Sequence, residues 1–494
     1  MNTRDRTDTV GILGAGLSGL AMAIRLRQVG IEDFTIYERV TDVGGTWLRN
    51  TYPGLHCDIP SHLYCFSFEP NPDWSMVYAG QAEIQAYLRR CAEKYGLIDR
   101  IRFGIDARTA RFDPDAGSWT IETSTGERHT HRVLVQATGG LTAPRLPRID
   151  GLSTFDGLAW HSGAWRHDVD LSDCRVGVIG SAASAVQVVP HVADNAKEVH
   201  VFSRSPNWVI PRANRFYSDT EKTEFRDERS WNRLRRQLYR SSLLWYRAQK
   251  RWTSGIGELR GLTLENIRAS IDDPDLVDAL TPDYEPGCNR ILVSDDYYAA
   301  LARPHVTLVP HGVTRLTRTG IVAADGTETE VDVVIYCTGY RIGGREDGRA
   351  AIDVTGPDDL PLAATLAERP EAYYGVAIPG FPNFFVINGI NGTPGYTSLF
   401  NTAELHAEFV ATLTRRLVDE QLHAIEARPD ATAAYNRRIQ AELQQMSWSG
   451  NCRNFYLNRD GRNTTFFPGT LGRMRRELRA SETLDGFEFT ALRT

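Results

Sequence analysis

Residues 10–30 read VGILGAGLSGLAMAIRLRQVG, and residues 34–39 read FTIYER. An apolar run meets a glycine turn at Gly14. Apolar residues then recur at helical spacing (Leu17, Leu20, Ala21, Ile24, Val29), and a second apolar run closes on Glu38. The pattern predicts strand, turn, helix and strand, a βαβ start. Gly14, Gly16 and Gly19 suit a tight turn that brings backbone close to a pyrophosphate at the positive end of a helix. A lone glycine triplet is weak evidence. Set between a strand and a helix, with an acid closing the next strand, it is strong.

The pattern occurs twice. Residues 176–193 read VGVIGSAASAVQVVPHVA, and residues 199–204 read VHVFSR. Arg204 stands as far beyond Gly180 as Glu38 stands beyond Gly14. A carboxylate at this position accepts hydrogen bonds from a free ribose, whereas a guanidinium binds a 2′-phosphate. The first turn is therefore expected to hold an adenine dinucleotide with free ribose hydroxyls, and the second to hold NADP. Gly180, Ser181, Ala182, Ser184, Arg204 and Ser205 are the candidate NADP residues. Ala182 stands where the middle glycine belongs and adds a methyl at the pyrophosphate approach.

A chain of 494 residues predicts two or three domains. A net charge of −6 offers no global basic field for nucleic acid. The seven cysteines are scattered and form no CxxC pair, which argues for a reducing compartment and against a disulfide frame or a zinc site. No metal is expected. The polar start has no signal-peptide core, and no apolar run is long enough to span a bilayer, so a cytoplasmic location is expected.

The order of elements predicts an α/β chain with two Rossmann-like domains, the second inserted in the first. Residues 1–144 and 338–494 would form the first domain and 145–337 the second, with a helical insertion at about 212–285. In that insertion Trp231, Leu234, Leu238 and Trp245 fall near one face, and arginines crowd the same segment up to Trp252.

Two longer motifs narrow the function. Gly44-Gly45-Thr46-Trp47, then Tyr52-Pro53-Gly54, then Asp58 follow the pattern [AG]GxWxxxx[FY]P[GM]xxxD. Phe155, Gly157, His161 and Trp165 follow FxGxxxHxxxW. Trp47 occupies the position at which flavin disulfide reductases begin their redox cysteine pair, so dithiol chemistry lacks its reagents. The two motifs, in this order and between two nucleotide turns, resemble the fingerprints of Baeyer–Villiger monooxygenases, within the class B flavin-dependent monooxygenases. The resemblance runs through Ala137–Gly139, Ser203–Trp208, Cys288–Tyr298 and Cys337–Tyr340 and covers nearly the whole chain, the helical insertion least.

The resemblance implies FAD in the first domain, NADPH in the second, and insertion of one oxygen atom of O2 into a small organic substrate. A ketone giving an ester or lactone is the leading expectation. Oxygenation of a soft nitrogen or sulfur is the alternative, and a non-oxygenating NADPH oxidase or reductase is an alternative of another class. Arg290 matches the family arginine near the reactive flavin edge, where it would stabilise developing negative charge. Asp58 matches the aspartate that orients it. Gly45, Thr46, Trp47, Asp58 and Asn391 join Gly14, Gly16, Gly19 and Glu38 as candidate FAD residues, Asn391 through the loop of residues 388–396 ahead of a helix near Thr397. His161, with Phe155, Gly157 and Trp165, is expected to couple the domains. Asn289 replaces a family lysine that assists Arg204, which predicts a weaker NADPH preference. Arg453, Asn454 and Phe455 depart from a common SWY-like pattern, which suggests an unusual acceptor pocket.

Overall fold

The computed structural model describes residues 8–141, 143–251, 254–342, 344, 350–450, 452, 454–480 and 485–491. The opening βαβ unit comprises β1 (Asp8–Leu13), α1 (Leu17–Gln28) and β2 (Phe34–Glu38). Val10 and Ile12 have no exposed surface, as expected of a parallel strand covered on both faces. Gly14 has φ +102°, and a Cβ there would meet the Ala137 carbonyl oxygen at 2.7 Å. A Cβ on Gly19 would meet the Gly14 carbonyl oxygen at 1.9 Å, so glycine lets the helix lie against the turn.

The chain then forms α2 (Thr46–Arg49), α3 (Gln81–Lys94), β3 (Ile101–Phe103), β4 (Ala107–Asp113), β5 (Ser118–Thr123) and β6 (Arg128–Gln136). The first half of β6 pairs antiparallel with β5, and its second half pairs parallel with β1. That change of partner joins a meander to the nucleotide-type sheet.

A second sheet begins with β7 (Leu158–His161), β8 (Arg175–Ile179), α4 (Ala183–Asn195) and β9 (Glu198–Phe202). β10 (Val209–Ile210) then leads to the helices α5 (Asp219–Phe225), α6 (Glu228–Ala248), α7 (Ser254–Arg268) and α8 (Pro274–Leu280). The chain returns along β11 (Leu292–Val293), which pairs with β10, so the helical excursion leaves and re-enters through neighbouring strands. After α9 (Tyr297–Leu301) and β12 (Val306–Val309) come a small antiparallel unit, β13 (Val313–Leu316), β14 (Gly320–Ala323) and β15 (Glu328–Glu330), and then β16 (Val333–Tyr336). The parallel sheet runs β12-β9-β8-β16-β7. Its turn repeats the first one: Gly180 has φ +125°, and a Cβ there would meet the Cys337 carbonyl oxygen at 2.4 Å.

The last third adds β17 (Asp353–Thr355), α10 (Leu362–Glu368) and β18 (Phe384–Val386), and both strands join the first sheet. α11 (Leu399–Asp419) packs on α1, with Phe400, Ala407 and Val410 in the larger core. The second sheet has its own core around Val176, Val178 and Val201. No helix among the described residues is long and apolar enough to cross a membrane.

Two expectations are corrected. Cys288 and Cys452, 164 residues apart, form a disulfide, while Cys57, Cys65, Cys91, Cys174 and Cys337 are free. Sequence spacing hid the pair because only the C-terminal return of the chain brings the two together. The apolar face of α6 is also narrower than expected. Trp231 is buried, but Trp245 lies at the exposed border, and Arg235 turns inward to donate to the His62 carbonyl oxygen (2.8 Å) and Asn401 Oδ1 (2.7 Å). The outer face of α6 lines an open groove of about 670 Å³ with Arg233, Arg236 and Arg240, and no fingerprint residue lines it. Trp252 lies outside the described residues.

Candidate active site

Both nucleotide turns end in helices without a side-chain cap. Gly16 caps α1 and Ala182 caps α4 through backbone alone, as Gly45, Gly80, Asp296 and Pro361 do for α2, α3, α9 and α10, whereas Ser218, Asp227, Asp273 and Ser398 cap α5, α6, α8 and α11 with side-chain oxygens. Uncapped first-turn N–H groups beside a glycine turn suit a pyrophosphate. Gly16 and Gly45 face each other, since a Cβ on Gly45 would come within 3.1 Å of the Gly16 Cα. Thr46 opens α2 immediately after this contact. Two loops thus meet backbone to backbone over the turn, and side chains there would fill the cradle. Asn388 Nδ2 donates to Ser18 Oγ on the first turn of α1 (3.3 Å), and its buried Oδ1 has no partner among the described residues. These features fit a dinucleotide on the first turn.

Glu38 is buried at the end of β2. Its Oε2 accepts from the Ala15 N–H (2.8 Å), and its Oε1 accepts from the Val40 N–H (3.1 Å). The carboxylate is thereby held over the turn, with acceptor capacity left on both oxygens. Asn391 has φ +53° and no exposed surface. Its Nδ2 donates to the Asn463 and Phe466 carbonyl oxygens (2.9 and 2.8 Å), and its Oδ1 accepts from Gln440 (3.2 Å). The side chain clamps its own loop through these three hydrogen bonds. Asn388 is the polar residue of that loop that reaches the turn.

On the second turn Ser181 Oγ donates to the Ser205 carbonyl oxygen (2.8 Å), and Asn207 Nδ2 donates to the Ser181 carbonyl oxygen (3.0 Å). Arg204 is exposed, with Gly312 packed along its stem. Asn289 lies beside the Tyr284 hydroxyl, which in turn donates to Asn207 Oδ1 (3.2 Å).

The first fingerprint joins the two halves. A Cβ on Gly54 would meet the Gln187 carbonyl oxygen at 2.4 Å, so the turn of residues 52–54 rests directly on α4. The Tyr52 hydroxyl donates to Gln187 Oε1 (3.3 Å) and accepts from Ser184 Oγ (3.5 Å), and Gln187 Nε2 donates to the His56 carbonyl oxygen (2.9 Å). Ser184 therefore packs across the seam.

The second fingerprint makes another joint. A Cβ on Gly157 would meet the Asp332 carbonyl oxygen at 2.4 Å, and the half-buried Phe155 packs against the core beside it. His161 ends β7, accepts from the Gly163 N–H through Nδ1 (3.0 Å) and packs edge-on against Tyr340. Burial holds its pKa below the usual histidine value. Tyr340 in turn donates to Asn50 Oδ1, on the segment that follows Trp47. Trp165 packs edge-on against Trp160.

Asp58 and Arg290, far apart in sequence, meet at this seam. Arg290 Nη2 lies 2.5 Å and Nε 2.8 Å from Asp58 Oδ2. Two guanidinium nitrogens on one oxygen fix the plane of the side chain and leave its far edge without a partner among the described residues. The Asp58 charge holds the Arg290 pKa above its ordinary range. The guanidinium side chain keeps 42% of its surface exposed, so the free edge is open to a ligand. Trp47 Nε1 donates to the Tyr64 hydroxyl (3.0 Å), and burial raises both the Tyr64 phenol and the Cys57 thiol well above their usual values. The neighbours of the pair stay neutral, so Arg290 and Asp58 set the local field. Tyr64, Gln187, Asn50 and Tyr340 were not among the expected site residues. Only Tyr340 had a signal, the CTGY stretch.

Asn454 Nδ2 donates to the Cys288 and Trp448 carbonyl oxygens (3.1 and 3.0 Å), which draws the C-terminal loop onto the Arg290 segment. Phe455 is 63% exposed, and Arg453 lies outside the described residues.

Residues 7–343 match the model of the family described as flavin-binding monooxygenase-like. A Baeyer–Villiger monooxygenase of Streptomyces coelicolor is 40% identical, over 98% of this chain and 92% of its own length. A Baeyer–Villiger monooxygenase of Pseudomonas aeruginosa is 37% identical, over 94% of this chain and 88% of its own. A solved oxidised steroid monooxygenase bound to NADP superposes with a TM-score of 0.87 at 29% identity, covering 98% of this chain and 99% of that one. The chain belongs to the flavin-binding monooxygenase-like family and is a flavoprotein monooxygenase.

Proposed function

We propose that the protein catalyses Baeyer–Villiger oxidation of a small ketone to an ester or lactone, using FAD, NADPH and O2. The supporting observation is the Arg290–Asp58 pair, held at the seam between two uncapped nucleotide turns. Residues 1–144 and 338–494 hold FAD and residues 145–337 hold NADPH, with Glu38 on the FAD ribose and Arg204 on the 2′-phosphate.

FAD and NADPH, when bound, would supply the redox and oxygen-activating chemistry. The chain supplies position, charge and dryness. The first-turn N–H groups of α1, with Gly14, Gly16, Gly19, Gly45 and Thr46, seat the pyrophosphate. Trp47, fixed by Tyr64, packs at the flavin side. The first-turn N–H groups of α4, with Gly180, Ser181 and Ala182, seat the second pyrophosphate. The free edge of Arg290 stabilises the negative oxygen that develops when the carbonyl becomes tetrahedral, and Asp58 keeps that edge in place. Tyr52–Gln187 and His161–Tyr340–Asn50 hold the two nucleotide sites in register across the seam.

The relatives carry the same activity in their names, which supports the reading. The test supplies a cyclic ketone and a thioether together to the FAD-loaded enzyme with NADPH. Lactone as the main product is expected. Sulfoxide without lactone would overturn the ketone reading in favour of heteroatom oxygenation. NADPH consumption with peroxide release and neither product would overturn monooxygenation itself.

A further inference from the structure

We propose that Cys288 and Cys452 form a reversible oxidation site that latches the 447–456 loop over the Arg290 segment. The proposal rests on the assignment of Arg290 above. Cys288 is fully buried two residues before Arg290, and Cys452 is half-buried on the loop. The bond ties a segment that leads into β11 to a loop reached only after α11. It therefore joins the portions of chain assigned to the two nucleotide domains.

The remaining ties between these segments are non-covalent. Among the described residues they include the hydrogen bond from Asn454 to the Cys288 carbonyl oxygen, the approach of the Cys452 N–H to Cys288 Sγ (3.2 Å), the contact of the Tyr456 hydroxyl with the Arg290 backbone, and close approaches of Gly287 to Ser447 and of Gly450 to Cys288. Beyond the disulfide the loop carries Tyr456, 1% exposed and packed on Phe466, with its hydroxyl in the field of Arg290. A latched loop keeps this wall in place beside Arg290. Without the bond, the buried Trp448 and Tyr456 still anchor the two ends of the loop in the core, but the stretch around Cys452 between them loses its covalent tie to the Arg290 segment, and water entering there diverts reducing equivalents into peroxide.

The redox step balances. In the dithiol form the more accessible Cys452 thiolate attacks hydrogen peroxide. The O–O bond breaks, a sulfenic acid forms and one water leaves. The Cys288 thiolate then attacks the Cys452 sulfur, the S–S bond forms, and the departing hydroxide takes a proton as the second water. In sum two thiols lose two electrons and two protons, and peroxide becomes two waters. Uncoupled turnover supplies that oxidant, since NADPH, a proton and O2 give NADP⁺ and hydrogen peroxide. A small dithiol reverses the latch by attacking the accessible Cys452 sulfur, releasing the Cys288 thiolate and leaving as its own cyclic disulfide. Leakage thereby closes the device that limits leakage.

The test uses the full-length FAD-loaded enzyme in two states, reduced with dithiothreitol and freed of it, or treated with one equivalent of hydrogen peroxide. Alkylation with intact mass counts the thiols. Amide exchange across residues 447–456 and the peroxide released per NADPH consumed are then compared. The oxidised state should have two fewer thiols, slower exchange in the loop and about fivefold less peroxide per NADPH. Cys452→Ser should hold the enzyme in the leaky state whatever the treatment, and Cys174→Ser should respond like the parent. An unchanged thiol count, or a bond that alters neither exchange nor leakage, overturns the latch. Redox-dependent exchange in an enzyme that makes no lactone would support the latch while removing the ketone reading.

Discussion

Arg290→Ala is the most informative single change. A negative oxygen forming about 4 Å from the guanidinium gains roughly 4 kcal/mol at the effective dielectric of a site near the surface. The 42% exposure of the side chain lowers that figure toward about 3 kcal/mol, or roughly 10²–10³ in rate. The loss should fall on oxygen insertion alone. Anaerobic bleaching of the flavin by NADPH should stay within about threefold of the parent, because no charge on substrate oxygen develops in that step. Stability should fall by at most about 1 kcal/mol, since the ion pair is half open to water. Arg290→Lys keeps the charge but loses the fork on Asp58, so it should recover only part of the rate. Asp58→Asn should cost about tenfold by freeing the guanidinium plane. The assay is single-turnover product formation beside anaerobic flavin reduction. The reasoning is refuted if the alanine variant makes lactone at nearly the parental rate, or if it fails first in flavin reduction.

Three further outcomes follow from the same geometry. Gly14→Ala should yield protein without FAD, and Gly180→Ala should keep FAD but reduce it poorly with NADPH, because each Cβ meets the carbonyl oxygen of the residue just past a neighbouring strand, Ala137 or Cys337; flavin absorbance and bleaching rates separate the two. Arg204→Glu should raise the KM for NADPH by about 10² while NADH changes little, and Asn289→Lys should lower it about fivefold, in steady-state kinetics with both reductants. Burial depresses His62 and His406 to about 4 from 6.5, so both stay neutral in the fold while the unfolded chain protonates. Their contribution, up to roughly 3 kcal/mol each, is complete above about pH 6.5 and is lost as pH falls toward 4; His406→Gln should flatten that part of the stability-versus-pH curve in urea titrations.

Local geometry made some features readable and hid others. The glycines at 14, 19 and 180 were legible because each answers a backbone requirement within a few residues. Glu38 was legible because strand length places it over the turn. Asp58 and Arg290 were legible only through a family resemblance, since no periodicity links two residues 232 positions apart. The seam was mostly invisible. Gln187 looks like any polar helix residue until Gly54 rests on its carbonyl, and Asn50 gains meaning only when Tyr340 reaches it. The clamp made by Asn391 was not legible, because its partners Gln440, Asn463 and Phe466 come from far along the chain. The disulfide misled for the same reason: scattered cysteines say nothing of where the chain returns.

The most direct test of the central claim is the mass of the product formed from a cyclic ketone, with NADPH, under isotopically labelled dioxygen in ordinary water. A lactone carrying one heavy oxygen is predicted. Unlabelled lactone, or labelled peroxide with the ketone unchanged, would contradict the account.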